Sequence, residues 1–337
     1  MSKKASCSCN LAYGGTKRTR RNAVSPRKAK ERSVRGIVGG GSRIDAVPST
    51  MFRFISPVGA RLIFDVKPGK DLTDDTMKAA MLASYPKCIK DSAAFGRATG
   101  ADLYPLVDEM CIVNGASHDR DLLLKPIGPA SGRRWLSNID IAAVMRPMEH
   151  YYADIGVGPR LKWFGPYTRD FAELKCDIAD TSIEQLVADK YTHIATIVNY
   201  DSSRTSGSHW VAIVVVIPRN FILSGNKDTA AKIYFWDSTG YELPPDPSEY
   251  EKGVKKGDNP ILRYLLKTAK ELKSLGLDVA TFGNKMQHQR KNTECGVYCI
   301  LFVNAMLKGM DFEDFVARGD LGDDEVQRLR SVLFRER

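Results

Sequence analysis

The sequence predicts an α+β protein, and three observations carry that expectation. The apolar runs HIATIVNY (193–200) and HWVAIVVVI (209–217) have strand length and strand composition. The stretch 259–275 and the run CGVYCILFVNAML (295–307) have helical length, and the first of them is amphipathic. Most of the strands follow one another directly, and the helices fall between them only in places.

In chain order, residues 1–45 are rich in Gly, Ser, Arg and Lys and poor in large apolar groups, so a disordered basic tail is expected. FRFISPVGARLIFDV (52–66) alternates like a short hairpin. A helix is expected over 74–85, with Thr73 as its cap and Pro86 as its stop. Residues 87–124 carry no clear period, and 46–124 is taken as an accessory region. The Gly/Pro-rich KPIGPASG then marks a boundary, and 125–337 is assigned to one further domain. Within it, helical spacing begins at Ile139, with Ser137 or Asn138 as the cap. LKWFGPY, HIATIVNY, the runs carrying His209 and Asp237, and LDVATFG are expected as strands. SSRTSGS between Tyr200 and His209 is a polar turn. Helices over 259–275, from Cys295 to about Leu307, and across DEVQRLRSVLF complete the chain.

Composition narrows the function. The 337 residues are 43% hydrophobic and 27% charged, as in an ordinary soluble globular protein. No apolar run approaches the ~20 residues needed to span a bilayer, and MSKKASCSCN has no apolar segment of a secretory signal. Residues 1–45 hold twelve of the 50 Lys/Arg and two of the 40 Asp/Glu. That imbalance is the whole net charge of +10, since 38 of each sign remain elsewhere. The block from Lys17 to Arg35 suits phosphate neutralisation and so nucleic acid, a nuclear address, or a solubilising arm. Seven irregularly spaced cysteines, an odd number, fit free thiols better than a disulfide framework. There is no P-loop, no GxGxxG and no Cys/His cluster with zinc spacing, so no cofactor and no metal is expected.

The chemistry concentrates in four residues. Cys295 stands at the start of a predicted helix, where free N–H groups and the macrodipole favour a thiolate. His209 opens a strand and can hold the thiol proton. Asp237 ends a strand that can lie beside it and can fix the imidazole tautomer. Gln289, six positions before the cysteine, can donate to a developing oxyanion; Gln287 is the neighbour that could be mistaken for it. Cys299, one turn after Cys295, reads as packing, as do Trp163 and Trp236, while His118, His150, His193 and His288 read as structural or surface residues. The order His, Asp, Cys differs from papain-like enzymes, whose cysteine comes first.

HW, a strand ending in Asp, and Q-x5-C-G-V-Y resemble the SUMO/ubiquitin-like-protein protease family, which includes adenain and the polyprotein-processing proteases of large DNA viruses. RRWLSNIDI (133–141) is similar to an upstream motif of that family, with Ser137-Asn138 in place of its usual Asn-Asp pair, and WFGPYTRDF (163–171) looks like the viral branch. The resemblance spans about 125–337. It implies a central mixed sheet flanked by helices, with Cys295 as nucleophile, His209 as base, Asp237 as its orienter and Gln289 as oxyanion donor. It also implies a narrow channel for Gly-Gly, with Trp135 and Trp210 at the positions of its walls; flat aromatic walls exclude any Cβ.

The expected activity is cysteine endopeptidase cleavage after Gly-Gly in viral structural precursors, in the virion and host cytoplasm. One alternative is an isopeptidase on SUMO-like or ubiquitin-like tails, in nucleus or cytoplasm. The other is an inert scaffold that binds nucleic acid. Ile37-Val38-Gly39-Gly40 and Tyr13-Gly14-Gly15 resemble viral cleavage sites, so trimming after Gly40 or Gly15 is expected of an enzyme that processes its own tail.

Overall fold

The computed structural model describes residues 78, 81–82, 87–97, 103–154, 158–244, 253 and 255–336. The tail with Gly15 and Gly40, and the hairpin expected over 52–66, lie outside the described residues. In chain order the elements are α1 Ser92–Arg97, α2 Leu103–Val113, α3 Ser117–Leu123, α4 Asn138–Asp154, β1 Leu161–Thr168, α5 Asp177–Asp180, α6 Ile183–Ala188 and β2 His193–Asn199. They continue with β3 Trp210–Val216, α7 Arg219–Ser224, β4 Ala231–Trp236, α8 Pro260–Ser274, β5 Val279–Gly283, α9 Cys295–Leu307, α10 Phe312–Val316 and α11 Asp323–Leu333.

Two compact units divide the chain. One contains Val157–Asp323, the other Gly36–Gly156 with Asp324–Arg337. Residues 125–156 therefore group with the preceding helices, although the Gly/Pro stretch near 125 looks like a boundary in sequence. The C-terminal segment is tied to the same unit: Lys125 donates to the Ser331 carbonyl at 2.8 Å. Gly128 and Arg335 add backbone bonds of 3.0 and 3.1 Å across the same seam. In this unit Ser137 is the cap of α4. Its hydroxyl accepts from Asp140 N at 3.2 Å, and Asp140 accepts from Ser137 N at 2.8 Å, a reciprocal box. Cys88 and Cys111, both fully buried, are joined in a disulfide, so the free-thiol expectation fails for this pair. Their Cα atoms are only 4.2 Å apart because the start of the helical region folds back on α2. Cys295 and Cys299 are free.

The other unit is built on one five-stranded sheet, in the order β1-β2-β3-β4-β5. β2, β3 and β4 form an antiparallel meander, and the parallel edge strands β1 and β5 are reached through helical crossovers. The mixed sheet is the α+β arrangement expected. β2 and β3 are buried on both faces, which explains their nearly unbroken apolar sequence. On one face Val211, Ile213, Val215 and Phe235 join a core with Ile261, Leu265 and Leu272 of α8. On the other, Trp236 stacks on Phe302 of α9 at 5.1 Å and meets Phe315 of α10 edge-on at 4.9 Å. Trp163 and Trp236 are both buried, in line with their reading as core residues. Nearly every residue of α9 is buried, so this helix has no polar face and is gripped along its length.

Candidate active site

The meander sets two of the candidate residues side by side. Asn199 of β2 pairs with Trp210 of β3, and Tyr200 N donates to the His209 carbonyl at 2.9 Å, extending that ladder by one step. Ala212 pairs with Trp236 in the antiparallel β3–β4 ladder. Asp237, the next residue, is thereby carried to the level where β3 begins. The outcome is direct: His209 Nε2 lies 2.8 Å from Asp237 Oδ1. Nδ1 is the ring nitrogen left over, and Cys295 is among the neighbours that act to raise the imidazole pKa.

Asp237 has no solvent exposure, and donors surround its carboxylate. Tyr200 Oη donates to Oδ2 at 2.5 Å, and Thr239 N and Oγ1 donate to Oδ1 at 2.8 and 2.6 Å. Burial by itself would raise its pKa. The His209 charge and hydrogen bond, followed by the Thr239 and Tyr200 hydroxyls, overcome that and hold it below the usual carboxylate value. Burial likewise acts to lower the imidazole. Asp237's charge and hydrogen bond, then those of Cys295, reverse the balance and raise His209 to about 10. An imidazole in this setting keeps its proton at neutral pH.

Cys295 is the first residue of α9 and 1% exposed. Glu294 before it makes no side-chain capping bond to the first N–H groups of the helix. Cys299 is fully buried, and burial pushes its thiol well above the ordinary value, ahead of the added effects of Cys295 and Asp237. That suits packing and opposes nucleophilic work.

Gln289 is 4% exposed, whereas Gln287 is exposed and donates to the Gln289 carbonyl at 3.0 Å. The loop holding Gln289 is tied down from two sides. Arg290 N and Lys291 N donate to Asp323 Oδ2 at 2.8 and 2.9 Å. His288 N and Gln289 N donate to the Ser238 carbonyl at 2.9 and 2.8 Å. The two ring nitrogens of His288 lie 3.0 Å from the Met286 and Val316 carbonyls, a structural use of the side chain. Trp210 is 2% exposed, while Trp135 is partly exposed and belongs to the other compact unit.

Tyr200, Ser238, Thr239 and Asp323 are contacts that the motif reading did not single out. Thr239 had a local signal, since an Asp followed two residues on by a backbone donor is an Asx-turn. Tyr200 had a weaker one, as the last residue of the apolar run HIATIVNY before the turn that leads to His209. Tyr200→Phe removes one buried donor to Asp237. It is expected to cost about 1–3 kcal/mol of stability, read as a lower urea midpoint with an unchanged slope; an unaltered midpoint would refute the contact's importance.

A thiol at a helix start and an imidazole backed by a buried carboxylate are the groups a cysteine peptidase requires. Residues 175–336 match the Ulp1 protease family, C-terminal catalytic domain. An Acanthamoeba polyphaga mimivirus protein named as a thiol protease is 30% identical over 247 residues, 72% of this chain and 71% of the viral one. This chain belongs to the Ulp1 protease family. The mimivirus similarity is longer than 125–337, so it reaches into the accessory region as well. An African swine fever virus protein named SUMO-1 cysteine protease is 26% identical over 140 residues, 41% of this chain and 42% of that protein. A crystal structure of the African swine fever virus protease shares the fold, with a TM-score of 0.53 at 18% identity over 80% of this chain and 93% of that one.

Proposed function

We propose that this peptidase cleaves after Gly-Gly in viral structural precursors, with Cys295 as nucleophile and His209 as its base. The observation that carries the catalytic assignment is the 2.8 Å His209–Asp237 contact, with a free, buried Cys295 at the start of α9. The Cys295 thiolate attacks the glycyl carbonyl, and the C–N bond breaks as the imidazolium returns its proton to the leaving amine. His209, now neutral, takes a proton from water, which hydrolyses the thioester and frees the thiol. Gln289 and the Cys295 backbone N–H receive the oxyanion in both halves. Asp237 holds the ring in the required tautomer throughout.

The Gly-Gly preference rests on the resemblance to the family motif. The viral setting is supported by the two relatives, both from large DNA viruses. The test is a cleavage panel with Cys295→Ala as the control. It contains x-Gly-Gly-x peptides, the segment spanning Ile37–Gly41, and isopeptide-linked SUMO and ubiquitin. Cleavage of the peptides after the second glycine is expected. Turnover confined to the conjugates would instead assign an isopeptidase, and cleavage at non-glycine sites would remove the channel.

A further inference from the structure

The turn that follows β4 serves more than the imidazole. Asp237 faces His209, while the next residue, Ser238, is fully buried and faces Gln289. Ser238 Oγ lies 2.7 Å from Gln289 Oε1, and Gln289 Nε2 donates to the Lys291 carbonyl at 2.7 Å. A carbonyl can only accept, so the nitrogen end of the amide must lie on Lys291. Oε1 then faces Ser238, whose hydroxyl must be the donor. The Lys291 carbonyl is itself kept in place, because Lys291 N and Arg290 N both bond Asp323. One amide N–H of Gln289 remains uncommitted in this arrangement.

We propose that Ser238 is a positioning residue that fixes the polarity of the Gln289 amide, so that an N–H and not the carbonyl oxygen meets the oxyanion. The inference rests on the reading of Gln289 as oxyanion donor. The two ends of a glutamine amide are nearly the same shape, so packing alone cannot choose between them. A flipped amide would point a negative dipole at the developing negative charge. The flip would set Oε1 against the Lys291 carbonyl and turn the buried Ser238 hydroxyl from donor to acceptor, so that its own proton loses the Gln289 oxygen. Adjacent residues of one turn thereby set the proton carrier and the oxyanion donor. Motion of this turn disturbs both at once.

The test uses the full chain and the p-nitrophenyl ester of acetyl-Ile-Val-Gly-Gly, with the Cys295→Ala rate subtracted. Ser238→Ala is expected to lower kcat about 10- to 100-fold, less than the loss of a whole oxyanion donor, with KM nearly unchanged. Alkylation of Cys295 by iodoacetamide forms no oxyanion, so its rate should stay at the wild-type value; this also shows that the variant is folded. Ser238→Thr, which keeps the hydroxyl, should recover most of the loss. In a Gln289→Ala background, adding Ser238→Ala should change nothing further. Unchanged kcat in Ser238→Ala overturns the inference, as do alkylation falling in step with kcat, or losses that multiply in the double variant. Full activity in Gln289→Ala is a different result, which overturns the oxyanion reading of Gln289 itself.

Discussion

Cys295→Ala is expected to lower the hydrolysis of any cleavable peptide by at least about 10⁴-fold, the scale on which nucleophile removal acts in hydrolases. Among the described residues the only other free cysteine is Cys299, and it is no substitute. Cys299, a turn later, is fully buried with its thiol pushed up, and Cys88 and Cys111 are consumed in a disulfide. Mass spectrometry resolved to the peptide should find iodoacetamide on Cys295 in the wild type at neutral pH and no compensating label on Cys299 in the variant. Turnover within tenfold of wild type would mean that the reaction does not pass through this thiol.

Asp237→Asn tests the second strong dependence and gives a direction on the pH axis. The substitution keeps the size of the side chain and removes its charge. Burial lowers the His209 pKa, and it is the Asp237 charge and hydrogen bond that reverse this and raise it to about 10. Without them the ring should titrate at a lower pH. The imidazolium must protonate the leaving amine, so the alkaline limb of kcat/KM reports its loss in the free enzyme. In the wild type that limb is expected near pH 10, and in Asp237→Asn it should move acidward. The rate should fall about 10²- to 10⁴-fold, because the amide also disturbs the tautomer. An alkaline limb that stays in place would show that Asp237 does not hold the proton on His209.

The same charge balance links to stability. His209 binds its proton more tightly folded than unfolded, so its contribution is complete below the ordinary value of 6.5 and is lost as pH rises toward about 10. Asp237 works in the opposite sense, contributing above its ordinary value and losing that contribution as pH falls through the depressed one.

Much of the sheet was legible because its residues carry their own period and length. The strands at 161, 193, 210, 231 and 279 are short and apolar, and the amphipathic 259–275 stretch reads as a helix from its face alone. The helices Ser92–Arg97, Leu103–Val113 and Ser117–Leu123 were not legible. They are short, their apolar residues are spread over several faces, and they come from a region stapled by Cys88–Cys111, whose partners lie 23 residues apart. Helices of this length depend on packing more than on local propensity. The grouping of 125–156 with those helices was hidden for a related reason. The C-terminal segment joins the same unit through Lys125 to Ser331 and Gly128 to Arg335, contacts that cross about 200 residues of chain.

The sequence by itself determined the α+β sheet, the order His209, Asp237, Cys295, and the residue types a thiol peptidase needs. Those follow from composition and spacing, which are local. Only the tertiary structure decided which nitrogen of His209 meets Asp237, which glutamine is buried, and which hydroxyls enclose the carboxylate. Tyr200, Ser238 and Asp323 join the site through antiparallel register and loop closure, over separations of 37, 51 and 33 residues. A hydrogen bond formed across such a distance leaves no period in the chain that makes it.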